Sequence, residues 1–245
     1  MEKALQDYAS DAFRFLDQVL QERHHLFNGQ SKFLPLMASS HLSAAIKYSD
    51  LANHEGAPSV ALGLIRHAVE SMSIVELQLM DPADSASILD SWVAGRARLG
   101  EVRKFLEGSL WRTLPDTPWG VSWVEHEGSL AKAVQDYSHA SPSLMQWTLR
   151  FQQRAPGSGG TWIGAIGRND GIVDLNKGER IQLVIGILYW TLTHHIQRFP
   201  GFPISLQQRH LAITTEIADS KWLDRGQPWA EQLIPHVWID QGTQP

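Results

Sequence analysis

Residues that can do chemistry stand in the middle of an apolar segment, at Arg66, His67 and Glu70. Apolar residues recur at helical spacing from Ser59 to Met80, and Arg66 and Glu70 lie one turn apart beside that apolar arc. Because so apolar a helix is buried, its charges lie at least partly inside the protein, where an Arg–carboxylate pair offsets part of the cost. The pair can orient a phosphate or polarise a neighbouring base. The other interpretation is a structural ion pair that ties helices together.

A second candidate group is Tyr137-Ser138-His139, which ends a predicted helix shortly before Pro142. His139 can act as a general acid or base, with Tyr137 positioning a hydroxyl or a phosphate. The alternative is a histidine that the helix dipole stabilises at a C-terminus. No Gly-x-Ser-x-Gly elbow surrounds these serines, so an acyl-transfer triad is not expected.

The third candidate chemistry is metal binding, because the chain has 11 His and histidine is a common metal ligand. Glu22 and His25 form one Glu-x-x-His, but a di-iron bundle needs that motif twice together with two further Glu. The adjacent pair His194-His195 stands at the end of a predicted core helix, where exposed capping is the ordinary explanation. The sequence therefore predicts no metal and no cofactor.

Composition narrows the class of protein. The 245 residues carry a net charge of −5, so nothing favours general binding to nucleic acid backbones. With 0 Cys, disulfides, thiolate nucleophiles and Cys-based zinc sites are excluded. The Gly-rich stretch 157–160 lacks the Lys-Ser/Thr of a phosphate-binding loop. No secretory signal is visible, and the apolar run 181–193 is too short to span a bilayer, so no membrane partner and a cytoplasmic location are expected.

Hydrophobic spacing predicts a mainly α single domain over 1–245, a helical bundle. Short strand-like runs between Gly turns predict a small hairpin or irregular insert around 147–174. Pro228, Pro235 and two Trp after Gly226 predict an irregular C-terminal strap over 226–245. The predicted helices are 2–27, 35–54, 59–80, two within 83–114 interrupted near Gly95 or Gly100, 124–139, 176–198 and 204–223.

A family resemblance is carried by three segments, LIRHAVESMSIVELQL, QDYSHASPSLMQW and GERIQLVIGILYWTL. Together they resemble uncharacterised bacterial HEPN-like helical proteins over roughly Ser40 to Arg198. The resemblance implies a role in phage defence, toxin–antitoxin or stress systems, and assigns Arg66, Glu70, Tyr137 and His139 to the site. Ribonucleases of the HEPN group resemble one another in an Arg followed by His four to six residues later. No His in this chain follows Arg at that distance.

The sequence and the resemblance leave two main functions open, and a third with less support. The first is protein–protein interaction by a cytoplasmic HEPN-like homodimer, with the Trp-rich surfaces contacting a partner protein. The alternative is a metal-independent ribonuclease or nucleotide-modifying enzyme in which Arg66, Glu70 and His139 converge, with Tyr137 beside them. A lipid- or small-molecule-binding bundle is a third, supported by the 10 Trp alone.

Overall fold

The chain is mainly α-helical, as the sequence predicts. A computed structural model describes residues 2–27, 34–135, 149–152, 163–166 and 175–219. The helices are α1 (Glu2–Arg23), α2 (Leu34–His54), α3 (Pro58–Leu79), α4 (Pro82–Val93), α5 (Leu99–Ser109), α6 (Trp123–Gln135), α7 (Leu175–Ile196) and α8 (Ile204–Ala218), and the strands are β1 (Leu149–Gln152) and β2 (Ile163–Ile166). Single 3₁₀ turns follow α1 and α5.

Local sequence signals set several of these boundaries. Gly56 adopts φ +70° in the short link after α2, a conformation that glycine reaches without steric cost, and Pro58 then opens α3. The side chain of Asp81 accepts a hydrogen bond from the Ala83 amide and caps α4. Glu101 reaches back to the Arg98 amide and closes the first turn of α5.

Two helices lie at the centre of the bundle. Every residue from 71 to 80 is buried, because α2, α5, α6 and α7 pack around α3. The second central helix is α7, which is buried over nearly its whole length from 181 to 196 and packs against α1, α2, α3 and α8. Where a helix is covered on all sides, as over 71–80 of α3, it has no solvent-facing stripe, so each polar residue there points into protein.

The predicted insert contains the two strands. They pair antiparallel, with Leu149 opposite Ile166 and Gln152 opposite Ile163. The predicted strap at 226–245 and the end of the helix predicted to reach 139 lie outside the described residues. Within the described part of the chain, no helix combines the length and the hydropathy that a membrane span requires.

Candidate functional site: a buried carboxylate and histidine cluster

The predicted pair of Arg66 and Glu70 forms on α3. Nε of Arg66 donates to Oε1 of Glu70 over 2.8 Å, and the two side chains keep 25% and 35% of their surface exposed. Glu70 lies at the edge of a cavity of about 460 Å³, together with the rings of His41 and His67, whose centres are 6.0 Å apart. The pair is therefore a partly exposed i, i+4 contact at the periphery of the bundle.

The other two predicted site residues, Tyr137 and His139, lie outside the described residues. Their convergence with Arg66 and Glu70 therefore stays a prediction.

A different polar group occupies the bundle core. Glu76 of α3, Glu127 of α6 and His195 of α7, here called the core cluster, are 0%, 1% and 2% exposed. Their ligand atoms all lie within 4.8 Å of one another. Three separate helices thus bring two carboxyl groups and one imidazole to a single point inside the protein.

Within the core cluster, one polar side-chain atom of each residue has no hydrogen-bond partner among the described residues. Nε2 of His195 lies 2.7 Å from Oε1 of Glu76, but the two atoms are not aligned for a hydrogen bond. Oε1 of Glu127 is also buried and has no hydrogen-bond partner within the described part of the chain. Buried polar atoms are normally hydrogen-bonded, so three such atoms without partners in one cluster of side chains call for an explanation.

A shell of hydrogen bonds and cations surrounds the core cluster. Trp111 donates its indole N–H to Oε2 of Glu76 over 3.1 Å, which leaves Oε1 turned toward His195. Arg103 donates to the backbone carbonyl of Glu127 over 2.6 Å and lies over the Trp111 ring at 5.3 Å. The Arg103 guanidinium is thus bound by a carbonyl and a ring face, while it supplies positive charge near both carboxyl groups.

Burial shifts the titration of the core cluster toward the neutral forms. Burial first, and the neighbouring Glu76 second, raise the pKa of Glu127 to about 8, although Arg103 and His195 act in the opposite direction. Burial likewise raises the pKa of Glu76 and lowers that of His195. The fold therefore holds two carboxyl groups where their charged forms are strongly disfavoured unless a cation joins them.

Aromatic rings and further histidines border the core cluster. Trp190 stacks on Trp123 with ring centres 5.4 Å apart, and it also stacks on His210 at 5.6 Å. The Trp123 ring lies 5.1 Å from that of His195. Nε2 of His126 contacts the Thr191 hydroxyl at 3.1 Å. Much of the high Trp content thus lines this region.

The prediction of exposed capping for His194-His195 is wrong. His195 is 2% exposed, and burial lowers the pKa of the partly buried His194 to about 4. The reason is that α7 continues to Ile196 inside the bundle, so its last turn is enclosed by the packing of α6 and α8.

Sequence reasoning also missed Glu76 and Glu127. Glu76 stands six residues after Glu70, which at 100° per residue places it about 120° around the helix from Glu70. The available signal was a lone carboxylate within the most apolar part of α3. Motif spacing offered no help, because each of the three residues comes from a different helix.

The arrangement permits two kinds of chemistry. Unprotonated, the two carboxylates and the imidazole nitrogen are the donor set that Zn²⁺, Mn²⁺ and Fe²⁺ accept, unlike the all-oxygen sites of Ca²⁺ and Mg²⁺. Without a cation, a protonated carboxyl group can hydrogen-bond the imidazole after a small rotation. Distances of about 2.0–2.2 Å from each ligand atom to a tetrahedral zinc ion would place two ligand atoms about 3.4 Å apart. The ligand atoms of the core cluster lie within 4.8 Å of one another, so small side-chain rotations would bring them to that separation.

Compared with known proteins, the chain matches no family model, no curated protein and no solved structure. Its function must therefore be inferred from the side chains themselves.

Proposed function

We propose that the protein binds one divalent transition-metal ion in its helical core, with Glu76, Glu127 and His195 as the protein ligands. The observation that carries this is the meeting of three buried side chains from three helices, each of which has an atom without a hydrogen-bond partner among the described residues. Binding sites in helical bundles are commonly built in this way, from inward side chains on facing helices.

Electrostatics supports a cation at this point. Two buried carboxylates repel each other, and a divalent ion offsets both charges at once and restores their ionised forms. The nearby arginines offset part of this repulsion from a distance, but their hydrogen bonds go to backbone carbonyls, from Arg103 to Glu127 and from Arg198 to Leu79, and not to the carboxyl oxygens. Three protein ligands also leave at least one coordination position for water or another ligand, as in catalytic zinc sites.

Metal content is the direct test. Protein purified without chelator is expected to contain about one equivalent of zinc, manganese or iron by mass spectrometry, and the chelated protein is expected to bind Zn²⁺ in calorimetry. Glu127→Gln removes a ligand at nearly constant volume and is expected to abolish binding. Glu125→Gln, on the same helix but only partly buried, is the matched control and should bind as the wild type does.

Stability of the metal-free variant separates this proposal from a neutral hydrogen-bonded network. For a metal site, the chelated Glu127→Gln protein at pH 9 should melt at or above the temperature of the chelated wild type, because at a pH above the pKa of about 8 a buried carboxylate has become a neutral amide. A wild type without bound metal, together with a lower melting temperature for Glu127→Gln, would overturn the proposal.

Protein interaction stays a second candidate, with one surface in its favour. Met37, Tyr48 and Leu51 are 65%, 55% and 53% exposed and fall within about 60° of one another around α2. Apolar side chains grouped on one face favour a contact with another protein, and the predicted homodimer is its simplest form. Light scattering on the wild type and Tyr48→Glu tests it, since a dimer through this face should dissociate in the variant.

The metal-independent nuclease stays the alternative to both, and the role in phage defence within the cytoplasm stays a prediction. Cleavage of a mixed RNA pool by wild type, Arg66→Ala, His139→Ala and Glu127→Gln tests the nuclease. Activity that persists in chelator and in Glu127→Gln but is lost in Arg66→Ala and His139→Ala would establish it.

A further inference from the structure

A second set of groups lies at the C-terminal end of α3, apart from the core cluster. A cavity of about 720 Å³, here called the arginine cavity, is bordered by Arg23 of α1, by Arg198 after α7 and by the ring of Phe199. The two guanidinium groups lie 5.4 Å and 5.3 Å from the centre of that ring. Both guanidinium groups therefore contact the same aromatic side chain and border the same cavity.

The backbone holds both arginines in place. Arg23 donates from Nη2 to the Met80 carbonyl over 2.6 Å, and Arg198 donates from Nη2 to the Leu79 carbonyl over 2.9 Å. These carbonyls belong to the end of α3, where the helix leaves acceptors without partners. Capping uses one nitrogen of each guanidinium for these bonds and leaves other donors of the two side chains available.

One of those donors is buried and unsatisfied. Nε of Arg23 has no hydrogen-bond partner within the described residues. The two cations also disfavour each other, since the charge of Arg23 lowers the pKa of Arg198, with burial as the larger cause. An anion in the cavity that both arginines border would offset this repulsion and accept hydrogen bonds from their remaining N–H groups.

We propose that the arginine cavity binds a phosphoryl group carried by a small organic molecule. A phosphate monoester is a dianion with three acceptor oxygens, which matches two guanidinium forks. The apolar wall of Leu26, Leu79 and Leu110 provides contact for its organic part. Because this site shares no residue with the core cluster, it stands whether or not a metal binds there.

Two carboxylates in the same cavity predict an opposite effect. Asp81 is engaged by the Ala83 amide at the start of α4, whereas Asp84 is an exposed residue of the cavity lining. Removal of the Asp84 charge should therefore strengthen the binding of an anion, while removal of either arginine should weaken it.

The experiment measures binding of phenyl phosphate and inorganic phosphate to the chelated full-length chain by calorimetry and by ligand-observed NMR. Arg23→Gln and Arg198→Gln are each expected to weaken phenyl phosphate binding at least tenfold, and Asp84→Asn to strengthen it two- to fivefold. Arg112→Gln is the matched control, because this arginine is 67% exposed and paired with Glu107, and it should change nothing. Circular dichroism confirms folding of each variant.

Each outcome decides for or against the proposal. Phenyl phosphate binding that exceeds phosphate binding and depends on both arginines supports it. Equal binding of the two ligands would show that the organic part makes no contact, and this overturns the assignment of an organic phosphate. Absence of binding at millimolar phenyl phosphate, or equal affinity in the arginine variants and in Arg112→Gln, overturns the site itself.

Discussion

At the scale of single residues, what surrounds a charged side chain decides its role. Arg66 and Glu70 remain in contact with water, while Glu76 on the same helix is fully buried. Exposed ion pairs are screened and weak, whereas a buried carboxyl group perturbs its surroundings strongly. Arg66 and Glu70, which their i, i+4 spacing makes easy to recognise in the sequence, thus lie where water solvates their charges, whereas Glu76 lies where a charge is costly.

Glu70→Gln is expected to lower the free energy of unfolding by no more than about 0.5 kcal/mol, the usual value of an i, i+4 pair that keeps contact with solvent. Urea denaturation at neutral pH measures it. A loss of several kcal/mol would show instead that the pair is a major structural link.

Acid should destabilise the protein through its buried histidines. Burial lowers the pKa of His210 to about 4, and Tyr8 lies 3.0 Å from its Nδ1. Since the folded pKa lies below the unfolded value of about 6.5, this contribution is complete above pH 6.5 and is lost as pH falls toward 4, at most about 3 kcal/mol. Melting temperatures of wild type and His210→Gln between pH 7 and 4 test this. The melting temperature of His210→Gln should fall less steeply with decreasing pH than that of the wild type. The melting temperature of His25→Gln, a control at an exposed position, should follow the wild type.

At the scale of elements, α7 is joined to its neighbours by aromatic stacking. Trp190 is 1% exposed, stacks on both Trp123 of α6 and His210 of α8, and donates to the Thr214 hydroxyl over 2.8 Å. A single side chain therefore connects three helices around the core cluster.

Trp190→Leu should cost about 3 kcal/mol of unfolding free energy, because it leaves a cavity and removes both stacking contacts. Tyr48→Leu on the exposed face of α2 is the control, with an expected change within about 0.5 kcal/mol. Chemical denaturation of both variants gives the comparison. Equal effects would mean that the stacked rings do not contribute to the stability of the bundle.

At the scale of the whole molecule, the proposed metal connects helices that are distant in sequence. Residues 76, 127 and 195 stand on α3, α6 and α7, so one ion would tie together the centre of the bundle. A ligand that binds only the folded state stabilises it by about 2.7 kcal/mol at one hundred times its dissociation constant, or about 5–10 °C in melting temperature here.

Hydrogen exchange should localise that stabilisation. Addition of Zn²⁺ to chelated protein is expected to slow exchange most in α3, α6 and α7, since their side chains supply the ligands. The effect should be absent in Glu127→Gln and present in Glu125→Gln. Uniform slowing in both variants would show that zinc acts elsewhere on the chain.

The class of the fold and most helix boundaries could be predicted from the sequence alone. Apolar periodicity and breaks such as Gly56 and Pro82 are local signals, and a helix forms or ends through contacts within a few residues. The pair of Arg66 and Glu70 was also predictable, because residues four apart are neighbours on any helix.

The core cluster could not be predicted from the sequence, because it forms only when distant helices pack together. Glu76 and Glu127 lie 51 positions apart in the chain, and Glu127 and His195 lie 68 apart. No rule based on local spacing relates residues at such separations. Their meeting depends on how α3, α6 and α7 pack, which also encloses the last turn of α7 and buries His195. Helix packing depends on the summed fit of many side chains, so spacing along one chain predicts the helices but not which of their polar residues face each other.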